Sequence, residues 1–213
     1  AARIGESDRA KWRTVVPESK DAIVENGAVM SSDRIAVVYL VDVQSRVRLF
    51  GLDGSPKGEI PLPEPGSVTG TAGGTSGLSA NNDSGDLFLN FVSFLRPATI
   101  YRYDLEKGSL DAFHPPQSPF DASKFETRAL FYTSKDGTRV PLFVTLKKGA
   151  KLDGSHPTVL FGYGGFNISV VPNFSPAMAG WLEMGGVYAV ANLRGGGEYG
   201  SDWHHAGTKE RKQ

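Results

Sequence analysis

The stretches HPTVLFGYGGFN (residues 156–167) and GVYAVANLRGGGEYG (186–200) decide how this chain folds. Thr158 to Phe161 is a short apolar run between Pro157 and a glycine cluster, which reads as a buried strand. Val187 to Leu193 is a second, near-continuous apolar run, of the kind found in parallel sheets covered on both faces. Between them, Ser175 to Met184 reads as a helix: Ser175 is a capping residue, Pro176 suits a first turn, and Gly185-Gly186 ends it. Upstream, FETRALFYTSKDGTRVPLFVTLKKG (125–149) places two strands around a turn whose Asp136-Gly137 pair suits a hairpin. Hairpin, strand, helix, strand is the opening of an α/β fold.

The chain up to about residue 115 is written differently. Short Val-, Ile-, Phe- and Tyr-rich runs alternate with Gly, Asp, Asn, Ser and Pro clusters, and nothing is long enough for a confident helix. Two stretches resemble each other: DRIAVVYLVDVQSRVRLFGLDG (33–54) and GDLFLNFVSFLRPATIYRYDLEKG (85–108). Each has a strand (Ile35 to Leu40; Leu87 to Val92), a polar or Pro-containing turn and a second strand (Val47 to Leu52; Thr99 to Leu105). Asp53 and Asp104, which close the two units, lie 51 residues apart. A β unit recurring at that spacing suits propeller blades, and an ordinary meander in a β-sandwich suits it equally. Two blades cannot close a ring, which takes about four to eight. FHPPQSPFDASKFE (113–126) breaks both grammars with prolines and marks the boundary. The expected organisation is mixed: over 1–115 a β half, either about two propeller blades or part of a sandwich, then over 116–213 the first strands and helix of an α/β domain.

Composition narrows the function. Of 213 residues, 39% are hydrophobic and 22% charged, which suits a foldable globular chain. Lys plus Arg and Asp plus Glu are each 23, so no net field draws the chain to nucleic acid or to anionic membranes. No apolar run approaches the roughly 20 residues that span a bilayer, and AARIGESDRAKW lacks a signal-peptide core. With no cysteine there is no disulfide, thiolate metal site or cysteine nucleophile.

The chemistry-bearing loop is Gly162, Tyr163, Gly164, Gly165, Phe166, Asn167, directly after the third strand of the second half. In α/β-hydrolases that loop supplies half of an oxyanion hole, and glycines let the backbone approach a reacting carbonyl. A tyrosine there offers a phenolic donor; losing one such donor typically costs about 100- to 1,000-fold in rate. The plainer alternative is that Tyr163 and Phe166 pack under a turn that needs glycine for its backbone angles.

KLDGSHPTVLFGYGGFNIS (151–169) and VYAVANLRGGGEYGSDWHHAG (187–207) resemble conserved blocks of the prolyl oligopeptidase family of serine peptidases. The resemblance extends through FYTSKDGTRVPLFV and back through SFLRPATIY, GSVTG, YLVDV and VPESK, so it covers essentially the whole chain. It implies a partial β-propeller of about two blades over 1–115 followed by the first strands and helix of an α/β-hydrolase domain over 116–213, in a peptidase cleaving short peptides on the carboxyl side of proline, with the propeller restricting entry and no cofactor or metal. Tyr163 matches the family's oxyanion tyrosine, and Phe166 matches an aromatic lining the substrate pocket. Arg194 to Gly200 matches a structural loop, so neither Arg194 nor Glu198 is expected to be catalytic. The resemblance also implies a monomeric parent in the cytoplasm, or in the periplasm where a signal peptide precedes it.

The chain departs from the family in lacking the nucleophile elbow. No serine stands in G-x-S-x-G; Ser76 comes nearest, but Leu78 occupies the second glycine position. The chain is therefore expected to stop, at Glu210-Arg211-Lys212-Gln213, before the catalytic Ser, Asp and His, and to be inactive alone, with open sheet edges that favour aggregation. His114, His156, His204 and His205 are expected in linker, surface or supporting roles. A non-catalytic propeller module or pseudoenzyme is the alternative. Gly195 to Gly200 formally matches G-x-G-x-x-G, but Glu198 puts a negative charge in the proposed phosphate cradle. His204, His205 and Glu210 match no zinc spacing, and the sequons at Asn82, Asn167 and Asn173 carry no inference without a secretory signal.

Overall fold

The computed structural model describes residues 1–2, 4–19, 21–70, 77–80 and 84–211. Ser76, Asn82, Lys212 and Gln213 lie outside these. The described residues form three sheets.

The first is an antiparallel meander of β1 (Ile23–Ser31), β2 (Arg34–Val41), β3 (Gln44–Gly51) and β4 (Pro56–Ile60), in the order β1-β2-β3-β4. The second contains β5 (Ser67–Val68), β6 (Leu78–Ala80), β7 (Asp86–Val92), β8 (Thr99–Asp104) and β9 (Ser109–Phe113). β8 occupies one edge of β7; β5 and β6 share the other in succession, Val68 facing Phe91 and Leu78 facing Leu89. This sheet is thus also a four-row meander whose first row is interrupted. Asn90 bridges the interruption: its Nδ2 donates to the Thr69 carbonyl at 3.0 Å and its backbone N–H to Gly77 O at 2.9 Å.

The repeated stretches of the sequence are the two middle rows of each sheet, β2–β3 and β7–β8. Their alternation is the reason they were legible: β3 buries Val47 and Leu49, β7 buries Leu87, Leu89 and Phe91, and these meet Ala36, Val38 and Ile60 in one core between the sheets. Each sheet is one contiguous stretch of chain with no strand crossing over, as expected of consecutive blades.

The third sheet is β10 (Phe125–Thr133), β11 (Arg139–Lys147), β12 (Thr158–Gly162) and β13 (Val187–Ala191), in the order β10-β11-β13-β12. β10, β11 and β13 pair antiparallel, whereas β12 and β13 are parallel and joined through α1 (Pro176–Glu183). Ser175 caps α1 by accepting from Met178 N. Val187 to Ala191 is buried between two partner strands, and the strand ends two residues before the sequence suggested because Leu193 turns away into the glycine loop.

The expectation of a buried third strand is corrected. β12 is the sheet's edge, and Leu160 and Phe161 are 69% and 44% exposed.

Two blade turns plug into this sheet. The β2–β3 turn, with Asp42 and Val43 both left-handed (φ 46° and 62°), inserts Val43 into a cluster with Phe143 and Val190. Positive φ at both central residues gives the hairpin twist, but it is unusual for a β-branched residue, and complete burial of Val43 holds it there. The β7–β8 turn adds Phe94 to the same cluster and Leu95 to a neighbouring one with Phe125 and Leu182.

Candidate functional site

The site begins where β12 runs out. Gly162 closes the strand and Tyr163 follows at the end of the sheet. Gly164 then turns at φ 57°, where an added Cβ would lie 2.6 Å from Leu193 Cβ and 2.7 Å from Arg194 O. Only glycine fits there. Phe166 and Asn167 follow, both left-handed at φ 53° and 58°, and Ile168 N donates to Gly165 O at 3.0 Å to close a four-residue turn. This turn throws the Phe166 side chain outward, 84% exposed, beside Tyr163, which is 44% exposed. The two rings lie 6.5 Å apart with their planes within 29°.

The reading in which these rings pack under a glycine turn does not hold in this chain. They stand on the open side of the loop. Tyr163 forms part of the wall of a cavity of about 600 Å³, along with Phe94 of the blade turn, Phe161, Ile168, Val170 and Tyr188. Its hydroxyl makes no hydrogen bond to a described residue, which leaves the donor free to meet an incoming oxygen.

The glycine-rich loop after β13 lies directly beneath. Gly195 O accepts from Asn167 N at 3.1 Å, and a Cβ on Gly195 would come within 2.4 Å of Gly164 O. One on Gly197 would come within 2.7 Å of Asn167 O. Gly195 and Gly197 are therefore a close-packing surface for the Tyr163 loop, and Gly196 packs on the Glu198 side chain, rather than the three forming a cradle for phosphate. Glu198 confirms this by turning inward: it is 1% exposed, and its Oε1 accepts from Val170 N at 2.9 Å.

Arg194 ties the same loop to the β10–β11 turn, donating to Asp136 and, at 3.2 Å, to Thr138 Oγ1. The Thr138 backbone amide, reinforced by the Arg194 guanidinium, holds the Asp136 carboxyl far below the ordinary carboxylate range.

The histidines diverge. His204 Nδ1 donates to Gly195 O at 2.7 Å, and His205 Nδ1 faces Ser201 Oγ at 3.1 Å within the short helix α2 (Ser201–His205). His114 is an exposed residue set edge-on against Phe113. Among the described residues no three His, Cys, Asp or Glu side chains converge as a metal site.

Tyr199 Oη donates to Asp42 Oδ1 at 2.9 Å, a polar bond between blade and α/β half. Burial, then the bond to Asp42, raises the Tyr199 pKa well above the ordinary phenol value. The sequence reading missed this bond, the blade plugs Val43 and Phe94, and the inward turn of Glu198.

Comparison with known proteins gives two family matches: the N-terminal β-propeller domain of prolyl oligopeptidase over residues 1–115, and the prolyl oligopeptidase family over residues 172–213. The chain is 39% identical over 202 residues to the prolyl endopeptidase of Elizabethkingia miricola, covering 95% of this chain and 27% of that protein. It is 35% identical over 209 residues to the prolyl endopeptidase of Dictyostelium discoideum, covering 96% of this chain and 26% of that one. A solved prolyl endopeptidase, studied for inter-domain dynamics in catalysis and specificity, superposes with a TM-score of 0.81 at 42% identity over 94% of this chain and 28% of its own. Prolyl oligopeptidase B of Galerina marginata, solved with a 35-residue hydrolysis and macrocyclization substrate, superposes with a TM-score of 0.81 at 30% identity, over 94% and 28%. The chain thus spans little more than a quarter of the length of the relatives it matches. With the propeller match alone taking in over half of its residues, the chain belongs to the prolyl oligopeptidase family.

Proposed function

We propose that this chain is part of a serine peptidase that hydrolyses short peptides on the carboxyl side of proline, and that Tyr163 is its side-chain oxyanion donor. On this reading residues 1–115 are propeller blades and 116–213 the opening of the peptidase domain, in a monomeric cytoplasmic protein. What carries the reading is the placement of Tyr163 at the C-terminal end of a parallel strand, its hydroxyl unengaged among the described residues, beside Phe166 and an apolar cavity. Relatives solved with long peptide substrates support a peptide as the ligand class.

The chemistry follows from acyl transfer. A serine outside these 213 residues adds its Oγ to the carbonyl carbon of the prolyl bond, and its proton passes to a histidine base. The carbonyl oxygen takes the negative charge, and the Tyr163 O–H, with a backbone N–H, donates to it. Collapse breaks the C–N bond, the amine leaves with the proton, and water releases the acyl group by the same steps. Phe166 offers an exposed aromatic face to the compact apolar proline ring.

The test is Tyr163→Phe in the full-length enzyme, which keeps the ring and removes only the donor. With a chromogenic Gly-Pro substrate that reacts poorly, kcat is expected to fall by more than about tenfold. Unchanged kinetics would remove Tyr163 from the mechanism.

A further inference from the structure

We infer that Asn192 and Glu198 are positioning residues that grip the backbone of Val170 on both sides and so fix where Tyr163 and Phe166 stand. The inference rests on the role proposed for Tyr163.

Val170 lies in the segment after the left-handed turn, outside any strand, so no ladder satisfies its peptide groups. Two side chains do so instead. Glu198 Oε1 accepts from Val170 N at 2.9 Å, and Asn192 Nδ2 donates to Val170 O at 2.6 Å. Asn192 Nδ2 also approaches Glu198 Oε1 at 3.4 Å, joining the two arms. Both are buried, Asn192 at 0% and Glu198 at 1% exposed, and among the described residues Glu198 has no ion-pair partner. A buried carboxylate is costly to maintain. This one is spent on the backbone of a single loop residue.

The placement gives the grip its purpose. Asn192 directly follows β13 and Glu198 closes the glycine loop, so both belong to the connection after the strand that pairs with β12. The Tyr163 loop is fastened to that connection at three points: Gly164 against Leu193 and Arg194, Asn167 through Gly195 O, and Val170 through the two side chains. The Tyr163 ring projects immediately before the first of these points and the Phe166 ring between the first two. Val170 lines the same cavity as Tyr163, so releasing it frees one wall of the site along with the loop.

The two arms leave one signature. Asn192 Oδ1 and Glu198 Oε2, both acceptors, are buried with no hydrogen-bond partner among the described residues. A glutamine at 198 keeps the acceptor for Val170 N–H and brings a donor into this pair of acceptors. The grip therefore needs the carbonyl oxygen at 198 and not the charge.

The test is made in the full-length enzyme with a Gly-Pro chromogenic substrate. Glu198→Leu, which replaces the buried charge with an apolar group of similar size, is expected to lower kcat by about tenfold or more with little change in KM, because it displaces a donor that acts in the transition state. Glu198→Gln is expected to stay within about threefold of the parent enzyme, and Glu198→Leu combined with Tyr163→Phe to be no slower than the slower single variant, since both act through one hydroxyl. Multiplying losses in the double variant, or a Glu198→Leu enzyme with a lowered melting temperature and normal kcat, would overturn the inference. If Glu198→Leu does not fold, Asn192→Ala, which frees the Val170 carbonyl and the contact to Glu198 but leaves the Glu198 bond to Val170 N, carries the same comparison. A Glu198→Gln enzyme of normal melting temperature that loses tenfold in kcat also overturns it. A slow Tyr163→Phe enzyme beside a normal Glu198→Leu enzyme sinks this inference alone; a normal Tyr163→Phe enzyme sinks the reading beneath it.

Discussion

Phe94 belongs to a blade by sequence but to the α/β half by contact. Its ring centroid lies 5.5 Å from Phe143 and 5.9 Å from Tyr188, the latter nearly edge-on at 80°, and it is 6% exposed. Phe94→Ala removes the ring from a cluster whose other buried members sit on β11, β13 and the β2–β3 turn, and those held in strands cannot collapse far into the space. Truncations of this kind cost about 3–5 kcal/mol. For a chain of this length each kcal/mol moves the melting temperature by roughly 2–4 °C, so a fall of about 6–20 °C is expected. Phe94→Leu keeps most of the volume and loses the two aromatic pairs, each worth about 0.5–1.5 kcal/mol, so it should fall between the parent and Phe94→Ala. Urea denaturation would be followed both by circular dichroism, dominated by the blades, and by tryptophan fluorescence in a Trp12→Phe background, which leaves Trp181 and Trp203 in the α/β half. The shared cluster makes one cooperative unit of the two halves, and Phe94→Ala should move both transitions together. A shift below about 1 kcal/mol, or one seen by circular dichroism alone, would show that the ring does not join the halves.

Two further outcomes follow from the same structure. Glu25 is desolvated by burial, which raises its pKa despite the bond from Ser45 Oγ; a carboxyl raised on folding contributes its stability below its unfolded pKa and loses it as pH rises through the folded value. Glu25→Gln should therefore raise the melting temperature at pH 7 relative to the parent and change it little at pH 4, and equal effects at both would refute the assignment. Gly164→Ala places a Cβ 2.6 Å from Leu193 Cβ at φ 57°, so it should cost more than the ~1 kcal/mol of a strained left-handed alanine and lower kcat of the full-length enzyme; a variant as stable and active as the parent would show that the loop does not need this close approach.

The parts of the fold written in local chemistry were legible. Ser175, Pro176 and Gly185-Gly186 bound α1 to within a residue, and the alternating apolar rows of β3 and β7 gave the centres of both blades. The outer rows were not. β4 is PKGEI, with Pro56 and Gly58 inside it and only Ile60 buried, and β9 is largely exposed, so their strand character comes from pairing with β3 and β8. Tyr163 could be found because its position after a strand is a local signal. Glu198 could not: a glutamate amid glycines reads as solvated, and its burial depends on Val170, 28 residues earlier in the chain. Val43 misleads in the same way, as a β-branched residue in a turn that only a distant core makes tolerable. An asparagine at the end of an apolar strand followed by a lone acid in a glycine run is the one signal that could have pointed to the grip on Val170.

The outer side of β12 has consequences for handling the polypeptide. From Thr158 to Gly162 it carries no charge and no proline, and among the described residues it offers an unpaired row of amide and carbonyl groups flanked by the solvent-facing Leu160. Natural sheets guard such margins with lysine, proline or a bulge. Lacking all three, this margin is sticky toward any extended segment, and two copies meeting there would zip together side by side. The 213-residue polypeptide should therefore be kept dilute, since crowding during its production favours pairing along this margin.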